Sequence, residues 1–182
     1  LAGNETKATI KITNIDKKAP TAKVTYSTTN PTNKDVTTTI TLDEKVQAVE
    51  GWTLSNDGLK LTKSYSANTA TNGEEIIIKD LVGNETKTTI KITNIDKIVP
   101  TGSIAYSITE PTNKNVVVTI TANEKLQQIN GWSISSDGLK LTKTYTANTA
   151  TNGEEIIIKD LAGNEAKGTI KIANIDKIAP TA

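Results

Sequence analysis

The heptapeptide Val36-Thr37-Thr38-Thr39-Ile40-Thr41-Leu42 sets Val36, Ile40 and Leu42 on one side of an extended chain and Thr37, Thr39 and Thr41 on the other. Such period-two alternation is that of a strand with one face toward a core and one toward water. Threonine is β-branched and stiff at χ1, so a chain with 32 of them among alternating aliphatics favours sheet over helix. Worked outward from this heptapeptide, the same reading predicts strands near residues 22–27, 36–42, 46–54, 59–67, 75–79 and 86–95. Between them lie Asn30-Pro31-Thr32-Asn33, Ser55-Asn56-Asp57-Gly58, Asn72-Gly73 and Asp80 to Asn84, which supply the positive φ or the side-chain-to-backbone bonds of tight turns. Short strands at this spacing, with no helical stretch, predict an all-β sandwich or barrel.

The pattern then recurs. Leu81 to Lys97 repeats the first 17 residues with two changes, Leu161 to Lys177 repeats them again, and each step is 80 residues. Residues 18–97 laid on 98–177 without a gap match at about two thirds of positions, including all of Ala67 to Leu81 against Ala147 to Leu161. A unit of 80 residues is long enough to bury its own core, unlike a solenoid repeat. The expected organisation is therefore residues 1–17 as the last strand of a preceding repeat, 18–97 and 98–177 as two complete repeats, and 178–182 as the start of another. Pro20, Pro100 and Pro180 mark the junctions, because proline lacks the donor of a ladder. No glycine or serine spacer separates the repeats, so end-to-end sandwiches in a semi-rigid rod are expected, each adding roughly 35–40 Å at about 3.3 Å per residue.

Composition narrows the chemistry. With 21 basic and 20 acidic residues scattered singly, nothing steers the chain to nucleic acid. Cysteine, histidine and methionine are absent, which removes disulfides, thiolate nucleophiles, imidazole bases and the usual zinc ligands. The sequence has no apolar run long enough to span a bilayer, so membrane insertion is not expected. The chain is expected not to be an enzyme.

Asp160-Leu-Ala-Gly-Asn-Glu165, the Asn-Ile-Asp-Lys phrase followed by Ala-Pro or Val-Pro, and Asn-Pro-Thr-Asn-Lys ahead of a Val-Thr-Ile-Thr type strand resemble the bacterial immunoglobulin-like repeats of large surface proteins and adhesins. The resemblance implies an immunoglobulin-like sandwich of seven strands, a place at the bacterial cell surface or in secretions, and use as a stalk, spacer or fibre segment. It also admits a glycan- or host-protein-binding module, or an accessory module of a secreted glycosidase.

Individual residues follow. Trp52 and Trp132 are expected in the core with Ile40, Ile120, Ile90 and Ile170, rather than as platforms for a sugar ring. Tyr26, Tyr65, Tyr106 and Tyr145 are expected at its edge, their hydroxyls reaching backbone or water. Lys63 and Lys143 share parity with the apolar residues of their strand, so each must be paired, react with an asparagine to form an isopeptide, or escape to water at a bulge or edge. Asp16, Asp96 and Asp176, with Asp80 or Glu85, are the acids a calcium ion at the junctions would use. No Asp-rich loop is kept between copies, since Asp43 becomes Asn123, and no cofactor is expected. Asp80 and Asp160 are read as turn residues. The Asn4-Glu5-Thr6 and Asn84-Glu85-Thr86 sequons are read as turn chemistry. Finally, Thr6, Thr9, Ile10, Ile12 and Ile15 form an alternating strand that has no hairpin partner before it, and are expected to add to a sheet edge of a neighbouring chain.

Overall fold

A computed structural model describes residues 2–181, and the chain is all-β. Six strands, β1 (Ala22–Tyr26), β2 (Val36–Leu42), β3 (Thr53–Leu54), β4 (Lys60–Tyr65), β5 (Glu74–Lys79) and β6 (Glu85–Ile90), are followed by β7 (Gly102–Tyr106), β8 (Val116–Ala122), β9 (Ser133–Ile134), β10 (Lys140–Tyr145), β11 (Glu154–Lys159) and β12 (Glu165–Ile170). Each strand of the second set starts 80 positions after its counterpart. Four sheets result: β1-β2-β4-β3 and β5-β6, then β7-β8-β10-β9 and β11-β12. All ladders described are antiparallel, as hairpin-connected strands require.

Backbone contacts divide the chain into two compact units. One comprises the chain up to Ser27 with Thr37–Ser64 and Thr69–Lys91; the other comprises Thr28–Val36, Tyr65–Asn68 and the chain from Ile92 onward. In the first unit Ile40 of β2, Leu61 of β4, Ile78 of β5 and Ile90 of β6 are completely buried. In the second unit Val116, Val118 and Ile120 of β8, Leu141 of β10, Ile156 and Ile158 of β11 and Ile170 of β12 form one apolar cluster with Trp132. The cluster thus draws on both a four-stranded and a two-stranded sheet, which is consistent with a β-sandwich.

Strand edges depart from the sequence reading in two places. Residues 46–54 are not one strand. Val46 makes a single antiparallel bridge to Asp80, and Gln47 N–H donates to Lys79 O at 2.9 Å. The chain then turns, with Trp52 N–H donating to Val49 O at 3.1 Å and Gly51 at φ 74°, where a side chain would be strained. The strand expected over 86–95 ends at Ile90, because the chain beyond it changes partner. Ile172 O, in the second copy, accepts from Thr149 N–H at 3.0 Å, and Ile95 and Ile175 form parallel bridges with Thr32 and Thr112.

Residues 2–21 contain no strand. Ile10, Ile12 and Ile15 are 86%, 66% and 68% exposed, whereas Ile90, Ile92 and Ile95, the same positions 80 residues later, are buried. The difference has a local cause: 85–90 forms its full ladder with β5, and no strand among the described residues pairs with 5–15.

Candidate functional site

Both tryptophans are buried, Trp52 at 8% and Trp132 at 6% exposure, so neither ring is a surface platform for a sugar. Each lies under a lysine. Lys63 Nζ sits 5.8 Å from the Trp52 ring centre, and Lys143 Nζ sits 5.7 Å from that of Trp132 and 4.6 Å from that of Tyr145. The ammonium groups close on carboxylates, Lys63 on Glu74 at 2.6 Å and Lys143 on Glu154 at 2.7 Å. The Glu154 hydrogen bond raises the pKa of Lys143, and the Lys143 hydrogen bond lowers that of Glu154. Burial pushes Tyr145 up. There is no bulge here: β10 keeps an unbroken register with β8 from Lys140 to Tyr145. Edge placement applies only to half of the strand, because β9 covers Leu141 and Thr142 and leaves β10 without an outer partner from Lys143 onward. The lysine thus fills its inward position by pairing and by lying on an aromatic face. Tyr26 and Tyr106 hydroxyls accept the Lys91 and Lys171 amides at 3.3 and 3.2 Å.

Acidic groups converge twice. Asp16, Glu44 and Asp80 each bring a carboxylate oxygen within 4.8 Å of the others, and Asp96, Glu124 and Asp160 repeat the arrangement. The aspartates come from the connecting segment and from the turn after β5 or β11; the glutamates come from the loop after β2 or β8. Asp80 belongs first to its turn. Its Oδ1 accepts the amides of Val82, Gly83 and Asn84 at 2.9, 2.6 and 2.8 Å, and its Oδ2 accepts Asn84 Nδ2 at 2.7 Å. Burial raises its pKa, and these hydrogen bonds outweigh that and lower it. Gly83 holds φ 100° and Gly163 φ 93°, the left-handed backbone this turn needs. Glu44 is raised by burial and then by the charges of Asp16, Asp80 and Asp43; Glu124 is raised by burial and then by Asp160 and Asp96.

Of the acids the sequence singles out, the structure brings Asp16 to Asp80 and Asp96 to Asp160. Glu85 turns instead to Lys79 at 2.7 Å, and Asp176 caps its own turn by accepting the Ile178 amide at 2.9 Å. Glu44 and Glu124 were missed. Their signal was present: each is the acid that persists beside the Asp43/Asn123 change. Three carboxylates per cluster could supply part of the shell of a cation, which for calcium takes six to eight oxygens. Both oxygens of Asp80 and Asp160 already accept hydrogen bonds in their turns, Oδ2 only one.

Thr6, Thr9, Ile10, Ile12 and Ile15 all lie on exposed chain away from any ladder. Asn84 of the second sequon gives its amide to Asp80 Oδ2 and to the carbonyls of Asp16 and Lys18, so this side chain is spent on the turn. Compared with known proteins, the chain matches no family model, no curated protein and no solved structure.

Proposed function

We propose that the chain is a spacer segment of a bacterial cell-surface or secreted protein, its immunoglobulin-like copies set end to end to hold a distal region away from the surface. The observation that carries this reading is where the compact units divide. Residues 28–36, 65–68 and 92–97, which belong to the first copy by sequence, fall in one unit with the whole of the second copy.

The connecting segment is anchored on both sides within that unit. Asp96 N–H donates to Thr32 O at 2.9 Å, Thr32 N–H donates to Asn94 O at 2.9 Å, and Asn164 Nδ2 donates to Asp96 O at 2.9 Å. Thr101 N–H then donates to Asn123 Oδ1 at 2.8 Å, and Asn123 N–H returns a bond to Thr101 O at 3.0 Å. Only residues 97–100 lie between these anchors, and Pro100 stiffens them further. A short connection tied at both ends is what supports the spacer reading. The alternative of a glycan-binding module loses the residues that would have carried it, since both tryptophans are core.

Small-angle X-ray scattering tests the reading. The chain is expected to give a narrow distance distribution with a maximum well beyond that of a compact 182-residue globule. A Gly-Ser-Gly-Ser insertion after Ile98 is expected to broaden it. A compact profile, or one that the insertion leaves unchanged, would overturn the proposal.

A further inference from the structure

Asparagine is followed by glycine at 72–73, 130–131 and 152–153. In this dipeptide a backbone amide most easily reaches the preceding side-chain carboxamide, because glycine sets no side chain beside the attacking nitrogen. The fold treats the three pairs differently. Gly73 N–H donates to Ala70 O at 2.7 Å, and Gly153 N–H donates to Ala150 O at 2.8 Å. Both glycines are half-buried, with Thr89 Cγ2 and Ile90 O, or Thr169 Cγ2 and Ile170 O, standing 2.6–2.8 Å from where a Cβ would be. Asn130-Gly131 is open. The turn there is closed by Trp132 N–H donating to Ile129 O at 3.1 Å, with Gly131 at φ 77° as its third residue. Gln128 Nε2 adds bonds to the carbonyls of Ile129 and Trp132. The Gly131 amide and the Asn130 carboxamide take no part in these bonds and have no other partner among the described residues. Both residues are exposed, and nothing lies within 4 Å of the Gly131 Cβ position.

We propose that Asn130 is a site of spontaneous deamidation, peculiar to the second copy, with water as the co-reactant. Gly131 N gives its proton to solvent base and bonds to Asn130 Cγ. The Cγ–Nδ2 bond breaks, and Nδ2 takes a proton from water and leaves as ammonia. The resulting cyclic imide then adds water. Cleavage of the new N–Cγ bond gives aspartate, whereas cleavage between Gly131 N and the Asn130 backbone carbonyl carbon gives isoaspartate, with the chain running through Cγ. No electrons are exchanged with any other group. The first copy has Glu50-Gly51 in this turn, closed by the same bond from Trp52 N–H to Val49 O, and has no carboxamide there to lose. The reaction thus gives the second copy the kind of acidic group that the first already carries, and adds one negative charge to a chain of formal net charge +1.

The experiment incubates the whole chain at mildly alkaline pH, native and in urea, and follows its peptides by mass spectrometry, with isoaspartate read by enzymatic methylation. In the native chain Asn130 is expected to convert first, with Asn72 and Asn152 about 2- to 10-fold slower, the factor that one amide hydrogen bond represents. In urea the gap is expected to close, since the three dipeptides are the same. Asn130→Gln keeps the carboxamide but needs a larger ring, and is expected to remove the early acidic form that charge-sensitive separation of the native chain resolves. Equal rates at the three sites of the native chain, Asn72 or Asn152 ahead of Asn130, a gap that persists in urea, or an early acidic form undiminished in N130Q would overturn the proposal.

Discussion

Where the first copy buries Thr38, the second buries Val118, and where the first has Thr88 in β6, the second has Gly168 in β12. The strands and their registers are the same around both pairs of positions. The Thr38 hydroxyl is fully buried and makes no hydrogen bond, so the first copy carries a desolvated polar group that the second does not. The second copy has a defect of its own. Gly168 and Ala166 leave an apolar cleft of about 70 Å³ against Ile104, Ile120, Ile156 and Ile158. The two copies therefore share a fold while differing at these two positions, an unmet hydroxyl at Thr38 in one and unfilled volume at Gly168 in the other, and the second has an unmet hydroxyl of its own at Tyr145. Position by position, what is common to both is what the fold needs, and what differs is what it tolerates.

The tryptophans probe what is common. Trp52→Ala and Trp132→Ala are each expected to destabilise their own copy by about 3–5 kcal/mol, measured by denaturant titration with copy-resolved hydrogen exchange. Unequal losses would show that the two cores are less alike than their burial. Reciprocal exchange at the polar defect comes next. Thr38→Val is expected to stabilise the first copy, and Val118→Thr to destabilise the second, by about 1–2 kcal/mol each. A neutral Thr38→Val would mean that the hydroxyl finds a partner in solution.

The volume defect gives a smaller effect. Gly168→Ala is expected to stabilise the second copy by about 0.5–1 kcal/mol, since a glycine inside a strand lowers stability by that amount. Its new Cβ would meet only side-chain atoms, the Ile104 Cδ1 tip at 3.3 Å, which can yield, and Ile156 Cγ2 at 3.4 Å, an ordinary contact. Gly102 serves as the contrast, because there a Cβ would stand 3.0 Å from the Thr121 carbonyl oxygen, and no comparable gain is expected.

Charge gives the smallest difference, and its sign differs between sites. Asp43 accepts the Thr21 amide at 2.7 Å and Lys18 Nζ at 3.0 Å, and these bonds hold it at about 2. A carboxylate lowered in the folded state contributes stability above its unfolded value near 3.8, and that stability is lost as pH falls toward 2. Asn123 makes the equivalent bond to the Thr101 amide without titrating. Asp43→Asn is thus expected to flatten the acid limb of the first copy's melting profile. Glu124 works the other way. Its raised value means that stability falls as pH rises through and above the ordinary carboxylate range, so Glu124→Gln is expected to raise the melting temperature near pH 7 and to have little effect at pH 3. Equal shifts at both pH values would remove the ionisation of Glu124, disfavoured by burial and then by Asp160 and Asp96, as the cause.

Local alternation and turn chemistry determined much of this protein directly. Val36, Ile40 and Leu42 face inward because side chains alternate along any strand, and Asp80 with Gly83 makes its turn with atoms only a few residues away. The 80-residue repeat foretold that β7–β12 would retrace β1–β6. Tertiary structure alone decided matters that depend on residues far apart in the chain. The stretch 46–54 has strand composition and is broken because the chain must cross from one sheet to the other within it. Glu44 is marked in the sequence only as the acid kept beside the Asp43/Asn123 change, and nothing there names its partners. It joins Asp16 and Asp80 only once β2, β5 and the connecting segment have packed, since convergence of like charges is a property of the fold and not of spacing along the chain.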